Sequence, residues 1–123
     1  MGRFVLAAAA ALLLATAGFH AMGLPMASRW GEGLGRQEQM AISLMWAHAS
    51  VSWGVVALLW GVSVWRGGPW LGAAALAALI PAYGAAGVLT IDPSFFGGQM
   101  LAGSVVLGLI GLVLVRRGAT GAR

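Results

Sequence analysis

Four long apolar segments, separated by short polar connections, dominate the pattern along the chain. The apolar segments cover residues 4–24, 40–65, 70–91 and 95–115. The connections cover residues 25–39, 66–69 and 92–94. At about 1.5 Å per helical residue, each apolar segment reaches across the roughly 30 Å hydrocarbon core of a bilayer. The pattern predicts an all-α membrane protein, a single domain over residues 1–123 whose four transmembrane helices form two helical hairpins in a small bundle.

The composition supports a chain that lies almost entirely within lipid. Hydrophobic residues make up 60% of the sequence and charged residues 8%, against about 45–50% and about 25% in soluble domains. The mean hydropathy is +0.90. Because the longest connection is the segment 25–39, a soluble enzyme domain is excluded, and any chemistry must lie on the helices or their short connections.

The first apolar segment has two interpretations. Met1 to Arg3, the apolar run and Ala15-Thr16-Ala17 before Gly18 fit a secretory signal with its cleavage site. The apolar stretch continues to Leu24, which is longer than the apolar part of a signal requires. An uncleaved first helix is therefore the preferred prediction.

The basic residues predict an orientation rather than a nucleic-acid surface. The net charge is +4, and all seven basic residues are arginines placed near segment ends, whereas nucleic-acid binding needs a dense basic patch. With four spans, one side carries Arg3, Arg66, Arg116, Arg117 and Arg123, and the other carries Arg29 and Arg36. The excess favours cytoplasmic termini. Abundant Ala, Gly and Arg without Lys suggest a bacterial source, and hence the inner membrane.

Small residues mark the expected helix contacts, since helices in lipid associate by close packing. In the second segment they form a stripe: Ser43, Ala47, Ser50, Gly54, Ala57 and Gly61. Trp46, Trp53 and Trp60 form a seven-residue ridge on one flank of this stripe. The fourth segment presents Gly97, Ser104, Gly108 and Gly111 on one face. Large indoles against small residues predict a complementary packing interface.

Two histidines are the main candidates for chemistry within the spans. His20 and His48 lie on the side opposite to the termini, on different helices. Such a pair is typical of the axial ligands of membrane haem b. A depth difference of about one helical turn, roughly 5 Å, opposes this interpretation. The alternative is that both histidines are packing residues whose polar atoms bond to neighbouring Ser, Thr or carbonyl groups.

Methionines cluster on the same side and suggest a copper site. Met22 and Met45 lie near the two histidines, and a thioether with an imidazole suits Cu(I). The alternative is that methionine fills irregular apolar gaps. A metal or polar ligand is thus predicted between the first two helices, under the segment 25–39. The candidate residues are His20, His48, Met45, Ser52 and Asp92. The same groups could instead form a hydrogen-bonded plug.

Acidic residues lie only in connections or at a helix end, as Glu32, Glu38 and Asp92, and cysteine is absent. This distribution argues against a proton-coupled exporter of the small multidrug type, which relies on a carboxylate in its first helix. In span number, size and the short turn after the second helix, the chain is similar to the DoxX-like class of small bacterial membrane proteins.

The leading functional hypothesis is a non-enzymatic helix-packing protein, acting as a homo-oligomer or as an accessory subunit of a membrane complex. The alternatives are an oligomeric transporter or channel for small solutes or ions, and a haem- or copper-binding membrane protein.

Overall fold

The computed structural model describes residues 1–120 of the chain, and it is helical apart from short turns. The helices are α1 (Gly2–Met22), α2 (Leu24–Trp30), α3 (Arg36–Arg66), α4 (Pro69–Ala77), α5 (Leu79–Ile91) and α6 (Phe96–Thr120). Helices α1, α3 and α6 are each long and apolar enough to cross a membrane, as are α4 and α5 together over Pro69–Ile91. The predicted all-α membrane fold with four spans is confirmed.

The connection predicted over residues 25–39 is not a simple loop. It contains α2 and the first turn of α3, so the turn between them shrinks to about Gly31–Gly35. Pro25 is compatible with α2 because it lies at the start of the helix, where its missing N–H has no partner to lose. Glu38 lies in the first turn of α3, where a negative charge is favourable.

Helix α1 lies at the centre of the packing. It contacts α3 on one side and α6 on the other, and these are the two most extensive helix contacts among the described residues. Its buried positions are Leu6, Ala9, Ala10, Leu13, Thr16 and Ala17. The small side chains on this face allow both neighbours to approach closely.

The third span changes its neighbour halfway. Helix α4 packs mainly on α3, whereas α5 packs mainly on α6. The two helices are separated by a break at Ala78, three residues before Pro81. Because proline has no N–H, Pro81 donates no hydrogen bond to the preceding turn, which accounts for the interruption of the helix.

The four spans define two ends of the molecule. The terminal end carries Met1, the turn at Gly67 and Gly68, and the end of α6; the loop end carries α2, the turn before α3 and the connection at 92–95. Gly67 and Gly68 have φ angles of +61° and +54°, which favour glycine. Arg123, counted in the predicted orientation, lies outside the described residues.

Candidate functional site

The most elaborate polar contact within the spans centres on His20, in the last turn of α1. Its Nδ1 atom lies 2.8 Å from Oγ of Ser50 on α3. The imidazole stacks on the indole of Trp46, with centroids 4.1 Å apart and planes inclined by 12°. The indole of Trp53 approaches at 4.8 Å and 63°. A polar ring is thus held between two indoles of the tryptophan ridge.

The backbone of α1 takes part in the same contact. Nε1 of Trp46 donates to the carbonyl oxygen of His20 at 2.6 Å, so the indole that stacks on the ring also binds the helix end. Oγ of Ser50 lies 3.4 Å from the carbonyl oxygen of Trp46, to which it can donate. When it does so, Oγ of Ser50 accepts a hydrogen bond from Nδ1–H of His20, and Nε2 then remains as an acceptor.

Helix α2 closes over this cluster from the loop end. The indole of Trp30 meets that of Trp46 edge to face, with centroids 5.4 Å apart. Oγ of Ser28 lies 3.2 Å from Oγ of Ser43 on α3. At Gly23, an added Cβ would lie 2.7 Å from the ring of Trp46. His20 therefore lies between the first two spans, under the segment where the sequence predicted a ligand site.

A shallow groove of about 270 Å³ opens beside the imidazole. Its lining residues are His20, Trp30, Ile42, Met45, Trp46 and Ala49. The structure therefore brings His20 and Met45, two predicted candidates, to one surface. Chemically, the groove offers indole faces for a planar apolar group and an imidazole nitrogen for one hydrogen bond.

The second histidine does not join this cluster. His48 is exposed on α3, and its Nε2 atom lies 3.4 Å from Oγ of Ser52. His48 lies two positions after Trp46 on α3, which corresponds to a rotation of about 200° around the helix axis. The structure therefore does not bring the two histidines together as a pair of axial ligands.

The remaining candidates lie apart. Asp92 is exposed, and its Oδ1 accepts hydrogen bonds from the hydroxyl of Ser94 at 2.6 Å and its backbone N–H at 2.9 Å. These bonds lower the pKa of the Asp92 carboxyl, because they stabilise the carboxylate. Met22 is 80% exposed. Within residues 1–120, no group of three or more His, Asp or Glu could hold a metal.

Each indole of the tryptophan ridge lies against a glycine of another helix or helix junction. Trp46 covers Gly23, while Trp53 approaches Gly84 of α5. Trp60 is fully buried over Gly108 of α6. Nε1 of Trp60 also donates to the carbonyl oxygen of Ala74 on α4, at 3.1 Å. The sequence predicted this pairing of large with small residues, but it did not identify Trp46 and Trp30 as part of the candidate site.

The residues of the predicted packing interface divide into two groups. Those engaged within the chain are Ser43, Ser50, Ala57, Ser104, Gly108 and Gly111. Ala47 is only partly buried. At Gly54 and Gly61, also partly buried, an added Cβ would have no neighbouring atom within 4 Å. Part of the small-residue stripe is thus not used for helix packing within the described chain.

Comparison of the chain with protein-family models, with curated proteins and with solved structures gives no match. The architectural similarity to the DoxX-like class therefore stays a prediction, and function must be argued from the residues alone.

Proposed function

We propose that this protein is a non-enzymatic membrane protein that acts through lateral helix association, as a homo-oligomer or as an accessory subunit of a membrane complex. The main observation that supports this proposal is the open space beside Gly54 and Gly61 on α3. We call these two positions the glycine edge. A partner helix is the occupant that such a surface accepts in lipid.

The contrast with other glycines supports this proposal. At Gly111 an added Cβ would lie 2.7 Å from the backbone nitrogen of Leu6, and at Gly108 it would collide with Trp60. Those two positions require glycine for packing inside the chain. The glycine edge has no such requirement, although glycine in a helix costs about 1 kcal/mol relative to alanine. Close approach of a second helix supplies a reason for glycine there.

Polar groups on the exposed side of α3 give a second line of support. The pair formed by His48 and Ser52 lies near the middle of the helix Arg36–Arg66 and faces away from the core. Polar side chains within a bilayer are costly and tend to face protein rather than lipid. The pair lies about 120–180° around the helix axis from the glycine edge. It therefore marks a second side of α3 on which another protein segment would replace lipid.

In this proposal, the His20 cluster acts as a plug that fixes the loop end. It joins α1 to α3 through the bond to Ser50 and joins α2 to both through Trp30 and Trp46. Because the loop end is fixed, α3 cannot rotate about its own axis, and the glycine edge stays on the outside of the bundle.

The proposal is tested by replacing Gly54 and Gly61 together with isoleucine. The full chain is expressed in native membranes, and its association is measured by chemical crosslinking and by copurification of tagged with untagged copies or with other membrane proteins. Because both positions have open space, we expect the variant to fold and its association to be lost. The matched control is Gly103→Ile on α6. This site is also open, but the positions seven residues away are Phe96 and Ile110, so it forms no glycine edge and the variant is expected to leave association unchanged.

Two results would overturn the proposal. One is a wild-type chain that is strictly monomeric and has no copurifying partner. The other is a double variant that associates as well as the wild type and the Gly103→Ile control. Circular dichroism of the purified variants verifies that the helices are intact.

We further propose that the membrane is a bacterial inner membrane and that both termini are cytoplasmic. Among the described residues, the terminal end carries Arg3, Arg66, Arg116 and Arg117, and the loop end carries Arg29 and Arg36. Such a bias favours the terminal end as the cytoplasmic side. Alkaline phosphatase fused to the C-terminus should be inactive; an active fusion, which requires export, would refute this orientation.

A further inference from the structure

A second groove, of about 580 Å³, lies between α4 and α6 at the terminal end. Its walls are almost entirely apolar. The lining residues include Leu71, Gly72, Ala75, Leu109, Val113 and Arg116. No residue of the His20 cluster or of the glycine edge contributes to it. The groove is therefore a feature separate from the surfaces discussed so far.

The groove lies where the third span packs least closely on α6. Helix α4 packs mainly on α3, whereas α5 packs mainly on α6. The small residues Gly72 and Ala75 do not fill the resulting space. At Gly72, an added Cβ would meet no atom within 4 Å.

The apolar part of the groove covers most of one membrane leaflet. On α6 it runs from Leu109 to Arg116, which at 1.5 Å per residue is about 10 Å. Half of a hydrocarbon core is about 15 Å, so the groove covers about two thirds of that depth. Leu109, Val113 and Arg116 follow one another at intervals of four and three residues, so they lie on one helical face. An extended acyl chain can lie along this face.

The charge at this end selects the headgroup. Arg116 lines the groove near the end of the span, with Arg117 beside it in sequence. Arg66 lies two residues before Gly68, another lining residue. The chain's acidic residues, Glu32, Glu38 and Asp92, all lie at the loop end. The terminal end thus presents only positive side-chain charge, which attracts anionic lipids.

We propose that the groove between α4 and α6 binds an anionic phospholipid, with an acyl chain along Leu71, Ala75 and Leu109 and the phosphate held by Arg116. A guanidinium group binds phosphate oxygens through two parallel charge-assisted hydrogen bonds. The apolar walls bind the chain, so recognition requires both the headgroup and the acyl tail.

Native mass spectrometry of the purified chain tests this proposal. Phosphatidylglycerol and phosphatidylcholine of identical acyl composition are titrated separately. We expect phosphatidylglycerol to bind more tightly, and Arg116→Gln to weaken its binding about tenfold, as expected for the loss of a charge-assisted interaction. Phosphatidylcholine has the same phosphate but also a choline cation, which opposes binding at this positively charged end, so its weaker binding should fall by a smaller factor. Arg36→Gln at the loop end is the matched control and should keep the preference.

A second pair of variants tests the apolar wall. Ala75→Phe places a ring into the groove and should reduce binding of both lipids, whereas Ala73→Phe, on the exposed side of the same helix and outside the groove, should not. Equal affinity for the two lipids would overturn the proposal, as would an Arg116→Gln variant that behaves like Arg36→Gln. Displacement of the lipid by soluble glycerol phosphate would also overturn it, because it would indicate a site for phosphate alone.

Discussion

Replacing Gly111 with alanine is expected to destabilise the fold by about 2 kcal/mol, because α1 and α6 meet there backbone to backbone. The new Cβ would lie 2.7 Å from the nitrogen and 2.8 Å from the Cα of Leu6. Nonbonded carbon atoms prefer about 3.5–4.0 Å, so the helices would have to separate by about 0.7 Å or more. Leu6 is fully buried, and no side-chain rotation can relieve a contact with its backbone.

The magnitude has two opposing parts. Overpacking a tight contact costs about 1–3 kcal/mol, and a contact with backbone belongs at the upper end. Alanine gains about 1 kcal/mol over glycine in a helix. At Gly103, on the same helix, the added Cβ meets nothing within 4 Å, so only the gain applies. The two variants should therefore differ by about 3 kcal/mol, which isolates the steric cost.

Reversible unfolding by sodium dodecyl sulfate in mixed micelles, followed by tryptophan fluorescence, provides the assay. Gly111→Ala should unfold at lower denaturant than the wild type, and Gly103→Ala at equal or higher denaturant. The close approach of α1 and α6 would be refuted if Gly111→Ala were as stable as Gly103→Ala.

Three further predictions use the same unfolding assay. His20→Ala should cost about 1–3 kcal/mol, because it removes a hydrogen bond and a stacked ring. His48→Ala, at an exposed position, should stay within about 0.5 kcal/mol, and equal effects of the two variants would contradict the packing role of His20. Trp60→Phe should lower the free energy of unfolding by about 1–3 kcal/mol. It should also reduce the destabilisation caused by Gly108→Ala, so additive effects in a double-mutant cycle would exclude a contact between Trp60 and Gly108. The Asp92 carboxyl has a pKa below its ordinary value, so its contribution to the free energy of unfolding is present above about pH 4 and is lost as the pH falls through the folded-state pKa. Asp92→Asn should lack this pH-dependent contribution. The prediction is refuted if the variant loses stability in acid as the wild type does.

Length and hydropathy were sufficient to predict the four spans, because each segment has only one way to satisfy its backbone in lipid. The short helix α2 was missed. Pro25 and the following glycines are typical of loops, and the contact of Trp30 with Trp46 that accompanies the helix joins residues far apart in sequence. The local pattern of residue types along the sequence does not reveal such a tertiary contact.

The candidate ligand site stays a prediction, and the structure separates the residues that were predicted to form it. His20 and His48 are alike as sequence features, yet His20 is partly buried against α3 whereas His48 is exposed. The difference depends on the rotation of α3 about its axis. The small-residue stripe and the tryptophan ridge are adjacent on the helix, and the sequence alone does not decide which of them faces the core.

The packing shows why the ridge faces the core. A seven-residue repeat falls about 20° short of two full turns of an α-helix, so successive members of the repeat rotate slowly around the axis. Trp46, Trp53 and Trp60 accordingly meet different neighbours, at the α1–α2 junction, on α5 and on α6. One ridge thus joins α3 to every other span. With the core so occupied, Gly54 and Gly61 remain at the edge of the exposed side, where substitutions can alter association without disturbing the fold.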